Sequence, residues 1–193
     1  MRSKTIFAVM AAAATAFALM SFAGDARAQM LSLIPTYGNG KVQVRLYTDY
    51  FCSPCRAMEP KIAPVLSKLV RDNAISLTFT DVPLRPASSM YADYFLRAAA
   101  AKRDISNALK IRATLDEAAA RGIKTPDELE RHLSNKKITC AKLDNRPTLK
   151  ALETRIRSDR IMTTPTCVIE VNGVRRQYNS PAAIITALSQ LKN

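Results

Sequence analysis

Two hydrophobic periods divide the chain. Val42, Val44 and Leu46 alternate with Gln43 and Arg45, so residues 41–48 are predicted to form a strand. From Ser53 to about Asp72 the period lengthens, and Ile62, Val65, Leu66, Leu69 and Val70 fall on one face of a helix. Pro60 and Pro64 lie inside that helix and should bend it, because each removes a backbone donor and crowds the preceding turn. Ile75, Leu77 and Phe79 then alternate with Ser76, Thr78 and Thr80 in a second strand, parallel to the first.

Residues 88–158 read as helical. Ser88 or Ser89 can cap a helix that runs through Lys102. Ile105, Ala108, Leu109, Leu115 and Ala119 line another, which stops at Gly122. Thr125-Pro126-Asp127-Glu128 is a capping box with proline at the first helical position, opening a short helix through Leu133. Leu149, Leu152 and Ile156 mark the last helix of this block. Strand spacing resumes at Thr166–Val171, Asn172-Gly173 supplies a two-residue hairpin turn, and Val174–Tyr178 returns. Ser180-Pro181 caps a closing helix with Ile184, Ile185, Leu188 and Leu191 on one side. The order β-α-β, helical block, β-β-α predicts an α/β fold with an all-helical insertion.

The front of the chain bears on compartment. Arg2 and Lys4, an apolar stretch from Ile6 to Ala23 and Ala26-Arg27-Ala28 are the three parts of a secretory signal peptide. That reading is preferred to a membrane anchor, since the run is Ala-rich and ends in a small-residue cleavage pattern. The expected organisation is a signal peptide over 1–28 and a short extension over 29–40. A two-part domain over 41–87 and 159–193 then encloses a helical domain over 88–158. Removing Arg2, Lys4, Arg27 and Asp25 lowers the formal charge from +13 to +11. The Lys and Arg residues are interleaved with Asp and Glu and no nucleic-acid motif is present, so no nucleic-acid partner is expected. A basic surface that favours acidic partners is the better reading.

Cys52, Cys55, Cys140 and Cys167 all lie after the signal segment, in a compartment that permits disulfides. Cys52 and Cys55 would close a ring too short to constrain much of the unfolded chain, which points to chemistry. Cys140 and Cys167 could form a structural bridge worth about 3–4 kcal/mol in chain-entropy models, or remain two buried thiols. The bridge is the expectation, because exported thiols tend to pair.

Taken together, several stretches resemble a known family. A strand leading into Phe51-Cys52-x-x-Cys55-Arg56 at a helix start, Pro60 five residues after Cys55, and Thr164-Pro165-Thr166 opening a hairpin strand are similar to thioredoxin-fold signatures. The helical block before the Pro165 strand resembles the DsbA-type periplasmic thiol-disulfide oxidoreductases, and the resemblance spans residues 41–191. It implies a thioredoxin-like fold, a redox-active Cys52–Cys55 pair, and a cis-proline at Pro165 whose neighbour Thr164 binds extended clients by strand addition. It also implies partners: exported cysteine-containing proteins and a membrane protein that recycles the pair.

The residues explain such chemistry. At a helix N-cap, Cys52 faces unpaired N–H groups and the positive end of the dipole, which favour its thiolate. Cys55, one turn in and more buried, would resolve the mixed disulfide. Ser53 and Pro54 tune the pair: Pro54 offers no N–H, and histidine common before the second cysteine in the family's oxidants is missing. A less oxidising disulfide is therefore expected. Arg56 either adds positive charge or is an ordinary solvated arginine.

One departure stands out. Where the family places a buried acid, six residues before the first cysteine, this chain has Leu46. Asp49 and Glu59 could substitute as proton acceptors for Cys55, though each reads more readily as a solvated surface acid. His132, the sole histidine, reads as a helix-surface residue. Zinc spacing, a haem-attachment histidine after Cys55, phosphate loops and hydrolase triads are all missing, so neither metal nor cofactor is expected. The function expected is periplasmic thiol-disulfide exchange by a monomer, since 29–40 is too short for a dimerisation domain. An isomerase or reductase kept reduced by a membrane partner is the first alternative. A thiol-based Cu(I) binder is the second.

Overall fold

A computed structural model describes residues 33–191, so the expected signal segment lies outside the described residues. Five strands, β1 (Thr36–Tyr37), β2 (Val42–Thr48), β3 (Ile75–Asp81), β4 (Thr166–Val171) and β5 (Val174–Tyr178), form one sheet in the order β1-β3-β2-β4-β5. Helix α1 (Ser53–Arg71) joins β2 to β3. Helices α2 (Ser88–Ala101), α3 (Ile105–Ala120), α4 (Pro126–Asn135) and α5 (Arg146–Ser158) fill the interval before β4, and α6 (Pro181–Ser189) follows β5.

β2 and β3 are parallel, with Leu46 beside Phe79 and Thr48 beside Asp81, while β4 is antiparallel to β2 with Cys167 opposite Leu46. Residues in register share a face. Val44, Leu46, Leu77, Phe79 and Cys167 therefore lie on one side of the sheet, within the main apolar core. Tyr47 and Val168 lie on the other side, against Val82, Ile156 and Ile161. Helix α1 packs against α6, α3 and β3. The alternating β2 pattern suggests one solvated face, but Arg45 is only 4% exposed because the end of α5 covers it.

The short edge strand β1, inside the expected 29–40 extension, carries no periodic signal of its own. It forms by antiparallel pairing with β3, which buries Tyr37 against Phe79 at 5.7 Å between ring centroids. Gly40 makes the return to β2 possible, since a Cβ there would meet the Ala74 carbonyl carbon at 2.3 Å. At the hairpin, Asn172 and Gly173 both take positive φ, as a two-residue turn between right-twisted strands requires. Helix α1 continues through Pro60 and Pro64.

Two expectations are corrected here. Neither Ser88 nor Ser89 caps α2, whose N-cap is Ala87 without a side-chain bond; Ser88 instead donates to buried Asp49 at 2.6 Å. His132 is 5% exposed, not on the surface, because the last turn of α4 tucks it inward beside Leu129 and Leu133.

Candidate redox site

β2 delivers the chain to a tight corner at residues 49–52. Asp49 organises it: one carboxylate oxygen accepts the Phe51 N–H at 2.6 Å, and the other accepts the Leu84 N–H at 2.9 Å and the Ser88 hydroxyl at 2.6 Å. Asp49 is 2% exposed, so its expected place at the solvated surface is overturned: its lone pairs are filled by protein donors. From this corner α1 starts with Cys52 as N-cap, in extended conformation at φ −83°, ψ 107°. The Cys55 N–H points at Cys52 Sγ at 3.3 Å, while Pro54 in the first turn offers no donor.

The two cysteines are joined as a disulfide, with Cα atoms 5.3 Å apart. Cys52 is half-buried and Cys55 buried, leaving Cys52 Sγ as the accessible sulfur. Arg56 does not stand free; its guanidinium donates to the Tyr50 carbonyl at 2.7 Å and braces the corner. Thr164, 112 residues away, presents its carbonyl 3.6 Å from Cys52 Sγ, and the Thr164–Pro165 bond is cis. The Thr166 hydroxyl donates to the Thr163 carbonyl at 2.7 Å, which fixes that loop. Ser53 and Pro54 are exposed beside the sulfurs.

Sequence reasoning missed what anchors the loop. Asp159, just after α5, accepts Arg45 Nε at 2.6 Å, Arg175 Nη1 at 2.7 Å and the Tyr47 hydroxyl. Burial and this bond to Asp159 push the Tyr47 phenol far up, so it stays a neutral donor. The chain from Asp159 to Pro165, which runs from the end of α5 into β4, thus starts from a fixed point against the sheet.

Cys140 and Cys167 are free thiols, and the expected bridge is not formed. Cys167 is fully buried in β4, between Leu46 and Tyr178. Cys140 is held elsewhere: its neighbour Ala141 donates to the Arg97 carbonyl at 3.0 Å and accepts Arg97 Nε at 3.2 Å, fastening this segment to α2. Burial raises the Cys140 thiol and pushes Cys167 up to about 12, so both stay protonated at neutral pH.

Behind Cys55 lies a buried charge cluster. Glu59, one turn along α1, is 4% exposed, so it too is no surface acid. Arg112 of α3, 1% exposed, donates Nε to Glu59 at 2.6 Å, Nη1 to Asp81 at 3.1 Å and Nη2 to the Thr48 hydroxyl at 2.7 Å. Burial opposes the charge on Arg112, but Glu59, Tyr50 and Asp81 hold its pKa well above the usual value. Burial also raises Asp81, against the pull of Arg112. Nearby Asp116 is pushed up to about 7, mainly by burial, with Arg112 opposing and Glu59 and Asp81 adding.

Asp116 has a measurable consequence. Its folded pKa lies above the ordinary 3.8, so the folded state keeps a proton that the unfolded chain loses first. The contribution to stability is present below about pH 4 and is lost as pH rises to about 7. Relative to Asp116→Asn, the wild-type protein should lose roughly 1 kcal/mol per pH unit in that window and no more above it. Urea denaturation of both proteins from pH 4 to 8 checks this; parallel stability curves would exclude it.

A mixed sheet flanked by helices, with Cys-x-x-Cys at the tip of the first helix and a cis-proline loop against it, is a thioredoxin-type fold with a helical insertion. The thioredoxin family model matches residues 35–188, and the chain belongs to that family. None of the curated proteins compared with it matches. Among solved structures it is similar to a periplasmic thioredoxin-like protein from Salmonella enterica serovar Typhimurium. Identity there is 17%, with 82% of this chain and 90% of that one covered, at a TM-score of 0.62. A protein-disulfide isomerase candidate from Pseudomonas syringae is 16% identical, with 84% and 99% covered and a TM-score of 0.64. DsbA2 from Pseudomonas aeruginosa is 18% identical, with 82% and 93% covered and a TM-score of 0.54. At these identities the likeness is one of fold. No described helix is long and apolar enough to cross a membrane, and the described residues hold no group of three or more metal-ligating side chains.

Proposed function

We propose that the protein is a periplasmic thiol-disulfide oxidoreductase acting on exported proteins. The observation that carries this reading is the placement of Cys52 Sγ: accessible, at a helix tip, 3.6 Å from the Thr164 carbonyl, with Cys55 buried behind it. A client thiolate attacks Cys52 Sγ, the Cys52–Cys55 bond breaks, and Cys55 leaves as a thiolate that takes up a proton. A second client thiolate then attacks the client sulfur of the mixed disulfide and releases Cys52 as a thiolate. Two electrons pass from client to protein, and a membrane redox partner removes them. Thr164 and Pro165 hold the client's extended backbone beside the sulfur. With Leu46 in place of the family's acid, Glu59, one turn from Cys55 on the same helix and paired with Arg112, is the carboxylate assigned here to the Cys55 proton.

Equilibration in glutathione buffers tests the reading. The pair should titrate reversibly as a two-electron couple, and Pro54→His should raise its potential by roughly 30 mV or more, a tenfold change in the exchange constant. A fixed, untitratable pair would remove the redox reading, and a more negative potential in the histidine variant would contradict the role of Pro54. Thr164, which resembles the isomerase and reductase branches, favours isomerisation as the second reading. Refolding of scrambled ribonuclease by the reduced protein distinguishes it.

A further inference from the structure

Beside Cys52, on the side of the helical block, opens a groove of about 630 Å³ lined by Phe51, Arg85, Pro86, Ala87, Met90 and Lys124. Its floor is apolar, and its rim carries two cations and no carboxylate. Arg85 and Lys124 are exposed, and neither forms a salt bridge among the described residues. Most other cations close to the core are spent on carboxylates, as Arg45, Arg97 and Arg112 are.

Both walls are tied to the redox corner. The Arg85-Pro86 wall is held by Asp49, which accepts the N–H of neighbouring Leu84 and also fixes the Phe51 N–H, next to Cys52. The Arg85 N–H donates to Ser88 Oγ at 3.0 Å, and Ser88 in turn donates to Asp49. The opposite wall is held by the Tyr91 hydroxyl, which donates to the Ile123 carbonyl at 2.9 Å, beside Lys124. Tyr91 also packs edge-on against Phe51 at 5.0 Å. These bonds fix the backbone that carries the two cations relative to Cys52 before any partner arrives. A preformed groove of this kind costs little ordering on binding.

We propose that this groove selects the client: it takes the extended segment flanking the reacting cysteine when that segment pairs an apolar side chain with acidic residues. The apolar side chain lies over Phe51 and Met90, and its carboxylates meet Arg85 and Lys124. Rim charges of this sort raise association rates and set partner preference more than they add affinity. The proposal rests on the redox reading and goes beyond it by naming the client chemistry.

The test uses the oxidised full chain and three cysteine peptides that share a Phe-Leu flank and differ only in carrying Glu-Glu, Gln-Gln or Lys-Lys. Three proteins are compared: wild type, Arg85→Glu/Lys124→Glu, and Lys142→Glu/Lys150→Glu, which makes the same change in net charge outside the groove. At low salt the wild type should react with the Glu-Glu peptide about fivefold faster than with the Gln-Gln one, and slowest with Lys-Lys. The groove variant should lose or invert that order, and the Lys142/Lys150 variant should keep it. Replacing Phe-Leu by Ser-Ser should slow the Glu-Glu peptide with wild type. Equal discrimination in the two charge variants would overturn the proposal in favour of general surface charge, as would no discrimination in the wild type. Loss of phosphatidylglycerol vesicle binding in the groove variant, without peptide discrimination in the wild type, would overturn it in favour of a membrane. Dithiothreitol, which reacts as a thiolate but carries no flank to fill the groove, should reduce the wild type and the Lys142/Lys150 variant at similar rates. Failure of that reaction in the wild type would indict the redox reading itself.

Discussion

Cys52→Ser should reduce thiol-disulfide exchange to the uncatalysed background, whereas Cys55→Ser should keep the first step and stall at the second. The difference follows from where the sulfurs sit. Cys52 is the half-exposed N-cap of α1, next to the Thr164 carbonyl, and the more exposed of the two cysteines. The Cys55 side chain is buried. In reduced Cys55→Ser the Cys52 thiolate still attacks a client disulfide, but nothing stands behind it to release the client. A client–Cys52 mixed disulfide should therefore accumulate, visible on a non-reducing gel and absent from the double variant. The reduced wild type should also alkylate at Cys52 well below the pH of about 8.5 at which an ordinary thiol ionises, because the helix tip favours the anion. Cys140 and Cys167 should stay unmodified under these conditions, since burial keeps both protonated. Equal trapping by Cys52→Ser and Cys55→Ser, or alkylation of Cys52 no faster than of free cysteine, would defeat the assignment of roles.

Much of this arrangement was legible because it is local. The helix beginning at Ser53, the Thr125 cap, the Asn172-Gly173 turn and the Ser180 cap are each written in a few consecutive residues, and each forms where the pattern places it. The buried charges were harder, because a charged residue in an apolar stripe reads as a neighbouring surface position. Yet a signal existed. Arg112 is four residues after Ala108, three before Leu115 and seven before Ala119, all buried, so its register places it on the inward stripe of α3. Glu59 stands in the same relation to Cys55, Ile62 and Leu66 on α1. What the sequence hides is that these two residues, 53 apart, meet each other. Arg45 was hidden differently: its alternation with Val44 and Leu46 implies solvent until the end of α5, more than a hundred residues later, lays Asp159 over it. Strand β1 had no local signal at all, since it exists only through pairing with β3.

The Arg112 cluster is where loss should be largest for the fold. Arg112→Met should destabilise the protein by about 3–5 kcal/mol at neutral pH, the usual cost of stranding buried charges whose partner is removed. Glu59 and Asp81 would lose their hydrogen-bonded cation while remaining about 5% exposed, with Asp116 close by adding repulsion. The guanidinium also lies 4.5 Å from the Phe79 ring centroid and 5.5 Å from that of Phe95, contacts that methionine only partly replaces. Linkage fixes the pH dependence. Stranded carboxylates have folded pKa values raised above their unfolded ones, so the variant keeps protons that its unfolded chain releases as pH rises through about 4. Its deficit against wild type should thus be smallest near pH 4 and grow toward pH 7. Adding Glu59→Gln and Asp81→Asn should recover a good part of the loss and flatten that slope, because neutral partners leave no charge stranded. Urea midpoints for the three proteins at pH 4.5 and 7.5 decide the matter. The cluster holds the end of β2 through Thr48, the end of β3 through Asp81 and the turn after Cys55 through Glu59, so its loss should slow exchange at Cys52 even where the protein remains folded. A variant within about 1 kcal/mol of wild type, with no growth of the gap toward neutral pH, would show that the carboxylates are already protonated in the native protein and that Arg112 is held there by packing alone.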